Sequence, residues 1–158
     1  MLSKACLNRF LRKNFKLDWQ GYHGAAHWGR VHNHAQHLAK FYDVNPKILF
    51  YFSFLHDVAR ESENSDLGHG ERAVNLISNN GGAIWLGLTS IEYDELCHTM
   101  IQHSHKDAAG TITQQVCWDS DRLDLWRVGI MPDPSYLYTA RAKALHEDRF
   151  WNGYYKYN

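Results

Sequence analysis

The chain has 158 residues, of which 44% are apolar and 14% aromatic, which is enough to build the hydrophobic core of one domain. Its 17 basic residues balance 17 acidic ones, and this composition argues against a disordered chain and a strongly basic nucleic-acid-binding protein. The unusual feature is the content of 11 histidines. Because histidine is the commonest metal ligand in proteins, the composition raises the question of a metal site.

The spacing of apolar residues predicts helices joined by short loops, and the alternation typical of strands is scarce. Three start signals stand out: Asn45 before Pro46, a capping box that begins at Thr89, and a capping threonine at position 111. The predicted helices cover residues 2–17, 23–42, 46–60, 68–79, 90–104, 112–128 and 134–151. We therefore predict an all-α fold, with residues 1–158 forming a single domain.

The cysteines and the hydropathy pattern indicate where the protein acts. Cys6, Cys97 and Cys117 form no CxxC pair, which favours free thiols in a reducing compartment, and we expect a cytoplasmic protein. No apolar run approaches the roughly 20 residues of a membrane-spanning helix. The basic residues near the N-terminus are predicted to be the solvated face of a surface helix, and no other basic stripe suggests binding to a nucleic acid polymer.

The third predicted helix is apolar on nearly all sides between residues 48 and 58, which is typical of a helix in the middle of a bundle. His56 and Asp57 lie at its end. A carboxylate beside an imidazole in a buried segment is costly unless it has a partner, and a divalent cation would be such a partner. A hydrogen-bonded histidine–aspartate pair near solvent is the alternative at this point.

Other helices carry similar residues on their apolar faces. At 100° per residue, each of His27, His69, His103 and Asp119 falls on an apolar stripe, whereas Asp121 and Asp124 are predicted to point away. His98 and His105 remain alternatives to His103. The predicted ligands of a metal centre are His27, His56, Asp57, His69, His103 and Asp119.

Imidazoles combined with carboxylates suit a transition metal such as Mn, Fe, Co, Ni or Zn and do not suit a calcium site built of oxygen atoms. Six ligands exceed what one tetrahedral ion needs, so they predict up to two ions with a carboxylate between them. A pair of metal ions roughly 3.5–4 Å apart is typical of enzymes that direct an in-line attack on phosphorus.

The motifs HWGRV at 27–31, FLHDVAR at 54–60 and DSDRLD at 119–124 resemble the signature of the HD-domain superfamily of metal-dependent phosphohydrolases. The resemblance covers about residues 23–128 and implies an all-α fold. It implies that His27, His56, Asp57 and Asp119 bind a first ion. The segments GHGERA at 68–73 and IQHS at 101–104 resemble the positions that add His69 and His103 for a second ion, with Asp57 bridging.

The resemblance also implies a reaction, namely hydrolysis of a phosphate ester, such as a nucleotide, by a metal-activated water, with Asp57 at the catalytic centre. Arg30 and Arg60 each follow a motif histidine by one helical turn, and we expect them to contact the phosphate. Two alternatives stay open: a diiron oxygenase on the same fold, and a non-catalytic sensor that binds a nucleotide or a metal.

Overall fold

The computed structural model describes residues 2–105 and 107–147, and this part of the chain contains helices and no strand. The all-α prediction is therefore confirmed. The α-helices are α1 (Lys4–Asn14), α2 (Ala25–Leu38), α3 (Pro46–Leu55), α4 (His69–Asn79), α5 (Gly82–Leu86), α6 (Ser90–Gln102), α7 (Ile112–Leu123) and α8 (Ala140–Glu147). Two 3₁₀ segments, Asp124–Val128 and Pro134–Tyr136, lie between α7 and α8.

Three of the helices begin at the capping residues that the sequence predicts. The Asn45 side chain accepts a hydrogen bond from the Lys47 N–H at the start of α3, and Thr89 and Thr111 form complete capping boxes before α6 and α7. These interactions satisfy backbone N–H groups that have no partner inside a helix. Local side-chain chemistry therefore sets where these three helices begin.

Helix ends differ more from the predictions. Helix α3 stops at Leu55 and α7 stops at Leu123, five residues before the end predicted for each, and tighter turns follow. The last predicted helix begins six residues late, at Ala140, and its predicted end at Trp151 lies outside the described residues. Helix α5 was not predicted, because five residues between glycines are too few to show a helical period.

Helix α3 occupies the centre of the bundle, as predicted, and packs against α2, α6 and α7. Both its apolar flanks are buried, including Ile48, Tyr51 and Phe52. Burying such a helix removes apolar surface from water on several sides at once, which stabilises the domain. The consequence for function is that the end of α3 delivers His56 and Asp57 into the protein interior.

Helix α1 covers one side of this core. It buries Leu7, Phe10 and Leu11 and leaves its lysines and arginines exposed, as expected for a surface helix.

The three cysteines are free thiols. Within residues 2–105 and 107–147, every helix is too short or too polar to traverse a lipid bilayer.

Tyr51 links three distant parts of the chain, and its replacement tests this core. The fully buried hydroxyl donates to the Leu86 carbonyl (2.5 Å) and accepts from the Leu2 N–H (2.9 Å). We expect Tyr51→Phe to lower the free energy of unfolding by about 1–2 kcal/mol, because two buried backbone groups lose their partner. Urea denaturation measures the change. The control is Tyr22→Phe at an exposed position, and equal stability of the two variants would contradict the prediction.

Candidate metal centre

Asp57 lies at the centre of four buried imidazoles. Its Oδ2 atom lies 3.6 Å from His27 Nε2 and 3.5 Å from His56 Nε2. Its Oδ1 atom lies 3.2 Å from His69 Nε2 and 3.9 Å from His103 Nε2. One carboxylate therefore faces two histidines with each of its oxygen atoms.

Each imidazole is held through its Nδ1 atom. The acceptors are Asp124 Oδ2 for His27 (2.7 Å), Phe52 O for His56 (2.9 Å), Asp66 O for His69 (2.6 Å) and Met100 O for His103 (2.6 Å). Carbonyl and carboxylate oxygens only accept hydrogen bonds, so the Nδ1 atoms carry the protons. The lone pairs of the four Nε2 atoms are then directed at Asp57, which is the arrangement that metal-binding histidines adopt.

The same lone pairs face one another at short range. His69 Nε2 lies 2.7 Å from His103 Nε2, and His27 Nε2 lies 3.3 Å from His56 Nε2. Two such atoms have no proton to share when their Nδ1 atoms are protonated. In addition, Asp57 Oδ1 is buried and accepts no hydrogen bond from the described residues. A cation in each half of the cluster would satisfy all these groups.

Two sets of three side chains could each hold a metal ion: His27 with His56 and Asp57, and His69 with His103 and Asp57. In each set the candidate ligand atoms lie within 4.8 Å of one another. Asp57 belongs to both sets. Nitrogen donors with carboxylate oxygens suit a divalent transition metal, and the chemistry of the site therefore fits the predicted cofactor.

Burial and mutual charge shape the pKa values of the cluster. Burial lowers the pKa of His103 to about 4, assisted by the nearby His56, which keeps the imidazole neutral and able to bind a metal. Burial alone would raise the pKa of Asp57, but the surrounding imidazoles, His56 and His69 foremost, outweigh burial and hold that pKa well below its usual range. The carboxyl is therefore ionised at neutral pH.

Close packing of α4 against α6 brings the second pair of histidines together. His69 is the first residue of α4, and His103 follows the last residue of α6. Gly70 lies against the Met100 carbonyl, and a β-carbon at this position would collide with that backbone oxygen. The glycine beside His69 therefore permits the approach that puts the two imidazoles in contact. His98 and His105 are exposed, and the structure places His103 in the cluster.

The carboxylate from α7 that faces the histidines is Asp121, and the prediction of Asp119 is not supported. Asp121 Oδ1 lies 3.3 Å from His27 Nε2 and 3.7 Å from His56 Nε2. Burial would raise the pKa of Asp121, but the facing imidazoles of His27 and His56 outweigh burial and hold that pKa far below its usual range. The prediction that Asp121 points away was wrong.

Asp119 has a different role. Its carboxylate accepts hydrogen bonds from the Tyr138 N–H (2.8 Å), the Thr139 N–H (2.8 Å) and the Thr139 hydroxyl (2.7 Å). Asp119 thereby holds the segment that begins α8. Helix α7 is buried on several faces, and an apolar stripe could not distinguish the face toward α8 from the face toward the histidines.

Asp124 was also predicted to point away, but it supports the metal centre through its contact with His27. It is fully buried and accepts from His27 Nδ1, Arg30 Nε (2.7 Å) and Arg30 Nη2 (3.1 Å). His34 Nε2 lies 3.9 Å from the same carboxylate. Two nitrogen atoms of Arg30 are thus engaged with Asp124, which gives Arg30 a supporting contact. Its contact with phosphate stays a prediction.

Arg60 keeps a position beside the cluster. Its Nη1 atom lies 3.6 Å from Asp57 Oδ1, while Nε and Nη2 donate to the carbonyls of Ser62 and Asn64. Arg60 and His69 both line a cavity of about 470 Å³, together with Ser104 and His105. The cavity therefore lies beside the cluster.

The fold has a known counterpart. The crystal structure of a predicted HD superfamily hydrolase from an uncultured Thermotogales bacterium is similar to this chain, with a TM-score of 0.73 and 21% sequence identity. The superposition covers 97% of this chain and 88% of that one. The chain therefore has an HD-type helical fold. No protein-family model and no curated protein matches its sequence.

Paired substitutions in α7 test the assignment of its two aspartates. We expect Asp121→Ala to weaken metal binding more than tenfold, because it removes a carboxylate that faces two histidines. Asp119→Ala should retain metal but lose roughly 2–3 kcal/mol of stability, since three donors, two of them buried, lose their acceptor. Elemental analysis and urea denaturation measure the two effects. The reverse pattern, with metal lost only in Asp119→Ala, would contradict the structure.

Proposed function

We propose that the chain is a member of the HD-domain superfamily and acts as a metal-dependent phosphohydrolase on a small phosphate ester, a nucleotide being the substrate class that the sequence motifs favour. The observation that carries the proposal is the position of Asp57 between two pairs of histidines, each directing an Nε2 atom at it. The HD-type fold supports the same interpretation.

His27, His56, Asp57 and Asp121 would hold one ion, and His69, His103 and the shared Asp57 would hold a second. The donor set suits Mn, Fe, Co, Ni or Zn. When bound, such ions lower the pKa of a water molecule and polarise a phosphoryl oxygen. Asp57 is ionised and faces the histidines of both sets, so it would hold the two ion positions at a constant separation.

The surrounding residues prepare the cluster for this role. Asp124 holds the Nδ1 proton of His27 and so fixes both the tautomer and the orientation of the ring. Arg30 compensates the buried charge of Asp124. The His56 ring is held in the same way by the Phe52 carbonyl and also stacks on the Phe52 ring at 4.8 Å. These contacts hold the imidazoles in position before any ligand binds.

The substrate would bind in the cavity of about 470 Å³, whose volume lies within the range of small-molecule sites. Arg60 lines this cavity and lies next to Asp57, so its guanidinium would attract an anionic phosphoryl group toward the histidines. A cavity of this size supports a small ester over a nucleic acid polymer. We place this activity in the cytoplasm, in keeping with the three free cysteines.

Metal removal and replacement of Asp57 test the proposal together. We expect protein treated with a chelator to lose phosphatase activity on a panel of nucleotides and to regain it with one of the five ions. We expect Asp57→Asn to lower turnover by about a thousandfold or more and to reduce the metal content, because both ions share this ligand. The matched control is Asp43→Asn, at an exposed aspartate.

The assay is run with and without oxygen, because hydrolysis needs none. Activity only in the presence of oxygen would favour a diiron oxygenase. Full turnover after metal removal, or in Asp57→Asn, would contradict the proposal. Tight nucleotide binding without turnover under all five ions would contradict the enzymatic role and favour a sensor.

The two arginines are expected to affect different steps. Arg60→Met should raise the KM for a phosphate ester about tenfold or more while the metal content stays unchanged, because it removes a cation that lines the cavity. Arg30→Met should instead weaken metal binding about tenfold, because Asp124 loses its charged partner and holds His27 less well. Kinetics and metal titration measure the effects, and a KM effect confined to Arg30→Met would reverse the assignment.

A further inference from the structure

The loop between α3 and α4 joins two candidate ligands of the second ion. Asp57 lies two residues beyond the end of α3, and His69 is the first residue of α4. Asp57 Oδ1 and His69 Nε2 are 3.2 Å apart, although residues 58–68 between them contain no helix. A loop of this kind keeps one conformation only where contacts offset the entropy of ordering it. The geometry of these two ligands therefore depends on what holds the loop.

One guanidinium contacts both ends of this loop. Arg72 of α4 donates a hydrogen bond from Nε to the Ala59 carbonyl (3.1 Å) and another from Nη1 to the Leu67 carbonyl (3.3 Å). Its Nη2 atom donates to Asp66 Oδ1 (2.5 Å). A guanidinium is planar and its N–H groups point in fixed directions, so three acceptors around it have defined relative positions. Arg72 thus ties the start of the loop to its end.

Asp66 connects Arg72 to the metal centre. Its backbone carbonyl accepts the hydrogen bond from His69 Nδ1 (2.6 Å), which orients the imidazole. Its carboxylate accepts from Arg72 and, through Oδ2, from the Glu61 N–H (2.7 Å). The Asp66 side chain is only 8% exposed, and a carboxylate with a charged donor and a backbone donor is held firmly. The carbonyl that orients His69 therefore belongs to a residue that Arg72 holds in place.

The two halves of the metal centre have parallel supports. In the first half, Arg30 pairs with Asp124, whose carboxylate accepts from Nδ1 of His27. In the second half, Arg72 pairs with Asp66, whose backbone carbonyl accepts from Nδ1 of the histidine. Loss of a contact that orients a metal ligand weakens metal binding by roughly 10- to 100-fold. Each half would therefore respond to the loss of its own arginine.

We propose that Arg72 is a positioning residue for the second ion, and that it acts by holding Asp66 and the loop so that His69 faces Asp57. The inference rests on the two-ion centre of the proposed function. Arg72 belongs to neither set of candidate ligands, so its effect on metal binding is exerted through the loop. The first ion does not use this support.

Titration of the metal-free full chain with MnCl₂ and, separately, with ZnCl₂ tests the proposal, with calorimetry and elemental analysis as the measurements. We expect the wild type to bind two ions and Arg72→Met to bind the second about tenfold more weakly or worse, because the loop no longer fixes His69. The matched control is Arg9→Met, at an exposed arginine of α1, which should bind both ions as the wild type does. His69→Ala is the reference for a chain without the second ion.

A double substitution separates positioning from a general structural role. If Arg72 acts through His69, adding Arg72→Met to His69→Ala should leave the affinity for the remaining ion unchanged within about twofold. A further loss of affinity in the double variant would show a general structural role and overturn the proposal. Asp66→Asn is a milder change that keeps the size of the side chain, and it keeps the test valid if Arg72→Met fails to fold. It should weaken the second ion about fivefold, the effect of losing one charge pair.

The outcomes distinguish this inference from the proposed activity. Unchanged binding of both ions by Arg72→Met and Asp66→Asn would overturn the inference, and so would a wild-type chain that binds a single ion. A wild type that binds two ions, loses the second in Arg72→Met and hydrolyses no phosphate ester would support the inference and contradict only the proposed activity.

Discussion

The burial of one carboxylate among four imidazoles is the constraint on which the rest of this structure depends. Asp57 is 2% exposed and lies at the end of a helix whose neighbouring residues are apolar. A charge in such a position is stable only with a compensating partner, and a cation bound by the histidines would be one. Helices α2, α4 and α6 bring three of these histidines to Asp57, so the packing of the helices also determines the electrostatics of the centre. The core residues of α3 are therefore part of the site, although they touch no ligand.

A second layer of contacts explains why the imidazoles hold their orientation. Every Nδ1 atom of the cluster has an oxygen acceptor, and three of these acceptors are backbone carbonyls within four residues of the histidine. Local helix geometry thus directs those rings without further partners. His27, the third residue of α2, is instead held by the distant Asp124. Arg30 in turn compensates the charge of Asp124. A long-range network therefore orients His27, and local contacts orient the other three imidazoles.

The sequence predicted the helical fold, the start of three helices and five of the residues that meet at the cluster, because caps and apolar spacing act locally. It failed for the aspartates of α7. Apolar spacing distinguishes a buried face from an exposed one, but α7 is buried on several faces, so the choice among Asp119, Asp121 and Asp124 required tertiary contacts. Apolar spacing also could not show that Arg30 pairs with Asp124, because the two residues are 94 positions apart in the sequence.

The contact between Gly70 and the Met100 carbonyl has a consequence for how such a centre can change over evolution. The first set of donors comes from α2, α3 and α7. The second set is completed by α4 and α6, which can approach closely because Gly70 has no side chain. Any larger residue at position 70 would collide with the Met100 carbonyl and change how closely α4 approaches α6. Substitution of this one glycine would act directly on the helices that carry His69 and His103, so a descendant that keeps only the first cation would no longer need glycine here.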